Sequence, residues 1–240
     1  MSEARVQTRA LHGKWRRIHP RRQALHATAA ALVLDAWLQD LDSFDVDELV
    51  AAYQRQTAGQ DADHRFQAAL ALILGALLAR PWTNTRAALN LSRERAWLAG
   101  LEAAGTHLLQ GGGMGTVPPG DVGSLLSALL AATARRLARL LAASSGTTRQ
   151  IAAALLGALG AGADLLLAVD VLVSRAYGRA QRIAFQAAQI ALVAWVTVGD
   201  GRVCPTCEDN QDEGPYPPAA LPDLPAHPNC RCTYEPADSG

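Results

Sequence analysis

The sequence predicts a mainly α-helical fold, with helical N-terminal and central regions followed by a small zinc-stabilised β/loop module at the C-terminus. Three observations predict it. Ala and Leu fill long runs between residues 20 and 191, and 50% of all residues are hydrophobic; Ala and Leu are the strongest apolar helix formers. The run Val193-Ala-Trp-Val-Thr-Val198 is β-branched and aromatic, which suits a pleated strand. All four cysteines lie at positions 204, 207, 230 and 232, inside a Pro-rich stretch. At 240 residues the chain suits one large domain or two small ones.

In chain order, residues 20–57 read as helix, broken at Asp42-Ser43-Phe44, with Asp45 or Asp47 placed to cap the second piece. Gly59 to Asp63 is a polar joint. A helix then runs from about His64 to Arg80, where Pro81 ends it. Residues 85–109 form the next helix, with Leu89, Trp97, Leu98 and Leu101 near one face. The segment 111–123 holds six Gly and two Pro and reads as a linker. It divides an N-terminal helical region, 1–110, from a second region, 124–240, with helices over 124–191 and a strand and zinc knuckle over 193–236.

Residues 124–143 resume a helix carrying Arg135, Arg136 and Arg139 as a basic patch, and Thr147 or Thr148 caps the next. Gly157, Gly160 and Gly162 favour a turn near 160–163, with Asp164 capping a helix to about Ala191. The strand follows, with Gly199-Asp-Gly201 as the turn of a possible hairpin. Six prolines between 215 and 228 exclude helix and central strand there.

Charge is uneven. Residues 1–22 hold Arg5, Arg9, Lys14, Arg16, Arg17, Arg21 and Arg22 against Glu3, whereas residues 200–240 hold eight acids against Arg202 and Arg231. The basic end reads as a solvated or protein-docking tail, with non-specific contact to DNA phosphates as the other use of such charge. His12, His19 and His26 are spaced by seven, but Pro20 interrupts their face; they read as surface residues. The apolar runs 66–79, 150–163 and 183–199 read as buried helices, and no membrane span is expected. No secretory signal is visible, and clustered thiols without one favour metal over disulfides.

The chemistry lies in Cys204-Pro-Thr-Cys207 and His227-Pro-Asn-Cys230-Arg-Cys232. Two thiols three positions apart grip one ion from a single turn, and the second group closes the sphere. Zinc takes four ligands and five are present. Cys204 and Cys207 form one pair; Cys232 joins them with either Cys230 or His227. A site closed by protein ligands is structural, not catalytic. No P-loop, HExxH or GxSxG pattern occurs, and Ser144-Ser145 has no base nearby in sequence, so no enzyme activity is expected.

The string Trp195…Asp200-Gly-Arg-Val-Cys-Pro-Thr-Cys207…Gly214…Pro225-Ala-His-Pro-Asn-Cys-Arg-Cys232 resembles the C-terminal signature of the phage Mu F-like family, the minor head or head morphogenesis proteins of tailed phages. Thr148–Leu155 and Arg175–Gln189 resemble the family's preceding helices more loosely. Many members carry Arg-Thr-Glu in the second of these, where this chain has Val173-Ser174-Arg175; residues 1–145 show no resemblance. The resemblance implies a protein of the virion (capsid interior or portal vertex), passing through the host cytoplasm during assembly, partnered by portal and by capsid or scaffold proteins. Two alternatives stand beside it: an effector or toxin-related protein using the Mu F-like segment as a packaging module, and a cytoplasmic zinc-binding adaptor.

Overall fold

A computed structural model of the chain describes residues 3–42, 44–105, 122–199 and 201–237, with the backbone alone at 3–20 and 105. Its helices are α1 (Glu3–Leu41), α2 (Val46–Thr57), α3 (Ala62–Leu78), α4 (Thr83–Gly105), α5 (Val122–Ala143), α6 (Thr148–Gly160), α7 (Ala163–Ala187) and α8 (Pro205–Asp212). Two strands, β1 (Val193–Val196) and β2 (Thr233–Pro236), and a single 3₁₀ turn at Pro218–Ala220 complete the described elements. The fold is mainly helical with a small C-terminal strand and loop region, as the composition predicts.

Helix starts follow local chemistry. Asp45 accepts the Glu48 N–H at 2.9 Å to cap α2, and Asp61 accepts the His64 N–H at 2.9 Å to cap α3. Thr147 and Gln150 form a reciprocal capping box at α6, satisfying donors that would otherwise be orphaned. The start of α4 is capped from a distance. Asp40, on α1, accepts the Thr85 N–H at 2.7 Å and the Asn84 N–H at 3.3 Å.

Several expectations are corrected. Helix α1 continues through Pro20: proline's fixed φ is itself helical, although it removes a ladder bond and its ring crowds the carbonyl four residues back. Asp164 is not a cap: it lies in the first turn of α7 and accepts the Arg136 Nε–H at 2.7 Å. Helix α7 ends at Ala187 rather than near Ala191, with Gln189 at φ +54. Strand β1 does not turn back on Gly199-Asp-Gly201; it pairs antiparallel with distant β2, Trp195 opposite Tyr234. Residues 111–121 of the expected linker lie outside the described residues, and Val122 and Gly123 already belong to α5.

One window of 18 residues within Thr148–Ala187 reaches a mean hydropathy of 2.0 with 33% of it buried, long and apolar enough to cross a membrane. This length arises because α6 runs into α7 with only Ala161 and Gly162 between them, and the core helix of a protein can be as long and apolar. Helices α3 and α4 qualify too if counted as one span bent by 73°. Gly162 sits at φ +57, a left-handed position that suits glycine, and breaks the α6–α7 run.

The chain forms two compact units that interleave along the sequence: 1–31, 90–120 and 169–240 make the first, and 32–89 and 121–168 the second. In the second, α3 packs on α5, and α2 and α5 each pack on α6. Its aromatic centre is Trp37 stacked on Trp82, with centroids 4.5 Å apart and planes at 18°. Trp37 Nε1–H donates to the Leu159 carbonyl at 3.1 Å, and Trp82 Nε1–H to the Leu77 carbonyl at 2.6 Å. Both rings are therefore buried with their polar edge satisfied.

In the first unit, Trp97 and Leu101 of α4 and Tyr177, Ala180 and Phe185 of α7 make one core with Trp195 and Tyr234 of the strands. Helices α4 and α7 meet closely at Gly100. A Cβ there would lie 2.4 Å from the Tyr177 carbonyl oxygen and 2.8 Å from Ala180 Cβ. Backbone cannot yield as a flexible side chain does, so Gly100→Ala is expected to destabilise by about 1–3 kcal/mol. Urea unfolding measures it, and a midpoint matching the wild type would show that the helices separate freely.

Candidate metal centre

Each ligand segment is placed by a short element with its own local cause. Cys204 is the N-cap residue of α8, and Pro205 occupies the first helical position, where its missing N–H costs nothing. The Cys207 N–H donates to the Cys204 carbonyl at 3.0 Å, and this first turn brings both sulfurs to one side. The α8 turn is tied to β1 by Gln211, whose Oε1 accepts the Thr197 N–H at 3.1 Å and its hydroxyl at 2.7 Å. The second segment turns at Asn229, in the left-handed region at φ +61, which Asn tolerates well. There the Cys230 N–H donates to the His227 carbonyl at 3.1 Å. Cys230 and Cys232 then lead directly into β2, two residues apart, so their side chains share a side. Pairing of β1 with β2, Val196 opposite Thr233, joins the two ligand segments, which sequence distance alone does not do.

The Pro-rich loop between them is held by specific bonds rather than by a large core of its own. Tyr216 exchanges backbone hydrogen bonds with Val193 at 2.7 and 2.8 Å. Arg182 of α7 donates to the Leu221 carbonyl at 2.7 Å and to Asp223 at 2.8 Å. Gly178 of α7 lets Leu224 approach so closely that a Cβ would sit 2.7 Å from the Leu224 Cβ.

The five predicted donors lie in one neighbourhood, as two trios. Two overlapping trios, Cys204–Cys207–His227 and Cys207–Cys230–Cys232, have ligand atoms within 4.8 Å of one another, and Cys207 belongs to both. Cys207, Cys230 and Cys232 are buried, while Cys204 and His227 are half-buried. Cys207 Sγ lies 3.8 Å from Cys230 Sγ and 3.3 Å from His227 Nε2. A tetrahedral ion with bonds of about 2.3 Å to sulfur and 2.0 Å to nitrogen sets such pairs roughly 3.8 and 3.6 Å apart. Each spacing is close to that of two ligands on one ion, and the two pairs belong to different trios that share Cys207. His227 Nδ1 lies 2.8 Å from the Pro228 carbonyl. Donation to that carbonyl fixes the ring and leaves Nε2 unprotonated as the ligand atom.

The sulfurs cannot all ionise unaided. The neighbouring Cys232 thiol holds Cys230 down at about 5, the same contact pushes Cys232 far up, and burial pushes Cys207 up to about 12. A cation is what stabilises several thiolates packed this closely. The four cysteines form no disulfide. The cluster can hold a metal ion.

No family model, curated protein or solved structure matches this chain.

Sequence reasoning missed the residues around the ligands. The charge pattern places Arg22 in a basic tail, and the seven-residue spacing places His26 at the surface. Instead Arg22 is buried at 5% exposure, and His26 Nδ1 pairs with Asp170 at 3.0 Å. Asp170 also accepts the Asn229 N–H at 2.8 Å. Burial opposes the Asp170 carboxylate, but the bonds from His26 and Asn229 outweigh it and hold it below the usual carboxylate range. The only sequence signal was that Arg22 and His26 stand four apart, on one helix face. The side chains of His12 and His19 and of the arginines before residue 21 lie outside the described residues, as does His107. His64 bonds to Asp61 and joins no cluster.

Proposed function

We propose that this chain is a minor head protein of a tailed phage or prophage, associated with the portal and acting in procapsid assembly or genome delivery, and that its metal centre is a structural zinc site. The observation that carries the reading is the gathering of Cys204, Cys207, His227, Cys230 and Cys232 into two overlapping trios that share Cys207, in the spacing that resembles the Mu F-like signature. Soft sulfur donors with one imidazole suit zinc, and they suit hard oxygen-seeking ions poorly. Zinc bound by four of these groups has no open position for water or substrate, which favours a staple over a catalyst.

The chain's own residues give the staple its purpose. The segment 199–232 is rich in Pro, Gly and acids, and between the strands it buries few large apolar side chains. Metal binding supplies the ordering free energy that such a loop cannot obtain from burial. The result is a fixed acidic surface built on α8, with Glu208, Asp209 and Asp212 exposed, suited to docking on a larger assembly. Helix α6 is read as a core helix rather than a span, because its buried face, Ile151, Leu155 and Leu159, is covered within its own unit.

Mass spectrometry of purified particles tests the reading. The chain is expected in heads or procapsids at low copy beside the portal protein, and a Cys207→Ser allele is expected to reduce the yield of filled heads. Particles assembled normally, without the chain and independent of the allele, would contradict it.

A further inference from the structure

Arg22 is the least expected residue of the first unit. Its guanidinium donates to the Cys232 carbonyl, to the Cys230 carbonyl at 3.1 Å and to Ser174 Oγ at 2.8 Å. It also lies over the Tyr177 ring, 5.6 Å from the centroid. Among the described residues no carboxylate lies within ion-pair distance of it. A buried cation without a carboxylate partner is costly, so its place beside the cysteine cluster asks for a reason.

A divalent ion held by three or four thiolates leaves a centre of net negative charge, and in a poorly solvated site a nearby cation offsets it strongly. The two carbonyls that Arg22 grips belong to Cys230 and Cys232 themselves, and the planar fork reaches both at once. One turn further along α1, His26 holds Asp170, which in turn fixes the Asn229 N–H.

We propose that Arg22 is a positioning residue and counter-charge of the metal centre, setting the reach of Cys230 and Cys232 through their carbonyls and favouring a thiolate-rich ligand set. This rests on the zinc reading above. The N-terminal helix is then part of the metal module, although Arg22 and Cys232 are 210 residues apart in sequence.

The test is zinc affinity of the full chain, read by competition with a chromophoric chelator, for wild type, Arg22→Lys and Arg22→Gln. Outer residues that orient ligands typically contribute 10–100-fold in metal affinity. Zinc binding is expected to weaken about 10–100-fold in Arg22→Gln, with part of the loss regained in Arg22→Lys, which keeps charge but not the fork. Arg22→Gln binding as tightly as wild type would overturn the proposal. Equal loss in the two variants would overturn the counter-charge role, since packing alone would then account for it. If Arg22→Gln does not fold, zinc transfer to the chelator is compared between wild type and Arg22→Lys: faster transfer supports the fork's role and an unchanged rate overturns it. A wild-type chain that binds no zinc would overturn the zinc reading and this proposal together, and so is distinguishable from failure of this one alone.

Discussion

Replacing Cys207 with Ser is expected to strip the chain of stoichiometric zinc and to unfold residues 193–237, while α2, α3, α5 and α6 stay helical. Cys207 is the member shared by both trios, 1% exposed, and its sulfur lies against His227 and Cys230. A serine hydroxyl is a poor zinc ligand at neutral pH and leaves a polar group buried among sulfurs. Structural zinc contributes on the order of 10 kcal/mol to a small module, comparable to the whole stability of an ordinary domain. Limited proteolysis should therefore open the segment beyond β1 first, and circular dichroism should retain most of its helical signal. No cysteine lies in the second unit, which is why the loss is expected to be local. Full protease resistance of the variant, with zinc still bound, would show that Cys207 is not a ligand.

The second large effect is expected from Trp37→Ala, a loss of about 3–5 kcal/mol in urea unfolding. Trp37 is 1% exposed and stacked on Trp82, so its removal opens a cavity against a rigid partner ring. It also removes the donor to the Leu159 carbonyl near the end of α6. Trp37→Phe keeps much of the ring but not the N–H, and should lose less, with about 1 kcal/mol of its loss due to the hydrogen bond. A change below about 1 kcal/mol in Trp37→Ala would mean that the second unit repacks around the gap.

How much could be read beforehand depends on how local each cause is. Pro81, Thr147 and the Asp45 and Asp61 caps act within three or four residues, and the helices they bound are close to those expected. The five metal donors were legible for the same reason: CxxC and HxxCxC spacing fixes which side chains share a turn. What escaped is non-local. Nothing near Val193 announces that its partner is Pro236, because strand pairing is set by tertiary contact. Nothing near Arg22 distinguishes it from exposed Arg21 beside it; a charge pattern reports composition, and burial depends on which residues arrive from α7 and from the metal loop. Asp164 misled for a related reason. A capping role and an ion pair with Arg136 both suit an Asp at a helix start, and only the packing of α5 beside it decides.

The measurement that bears most directly on the metal centre is X-ray absorption at the zinc edge on the purified full chain, together with metal quantification. One zinc per chain is expected, with four protein ligands drawn from Cys204, Cys207, His227, Cys230 and Cys232, sulfur at about 2.3 Å and no water in the first shell. A chain free of bound metal after purification and zinc reconstitution, or a zinc whose shell is mostly oxygen, would contradict a closed structural site.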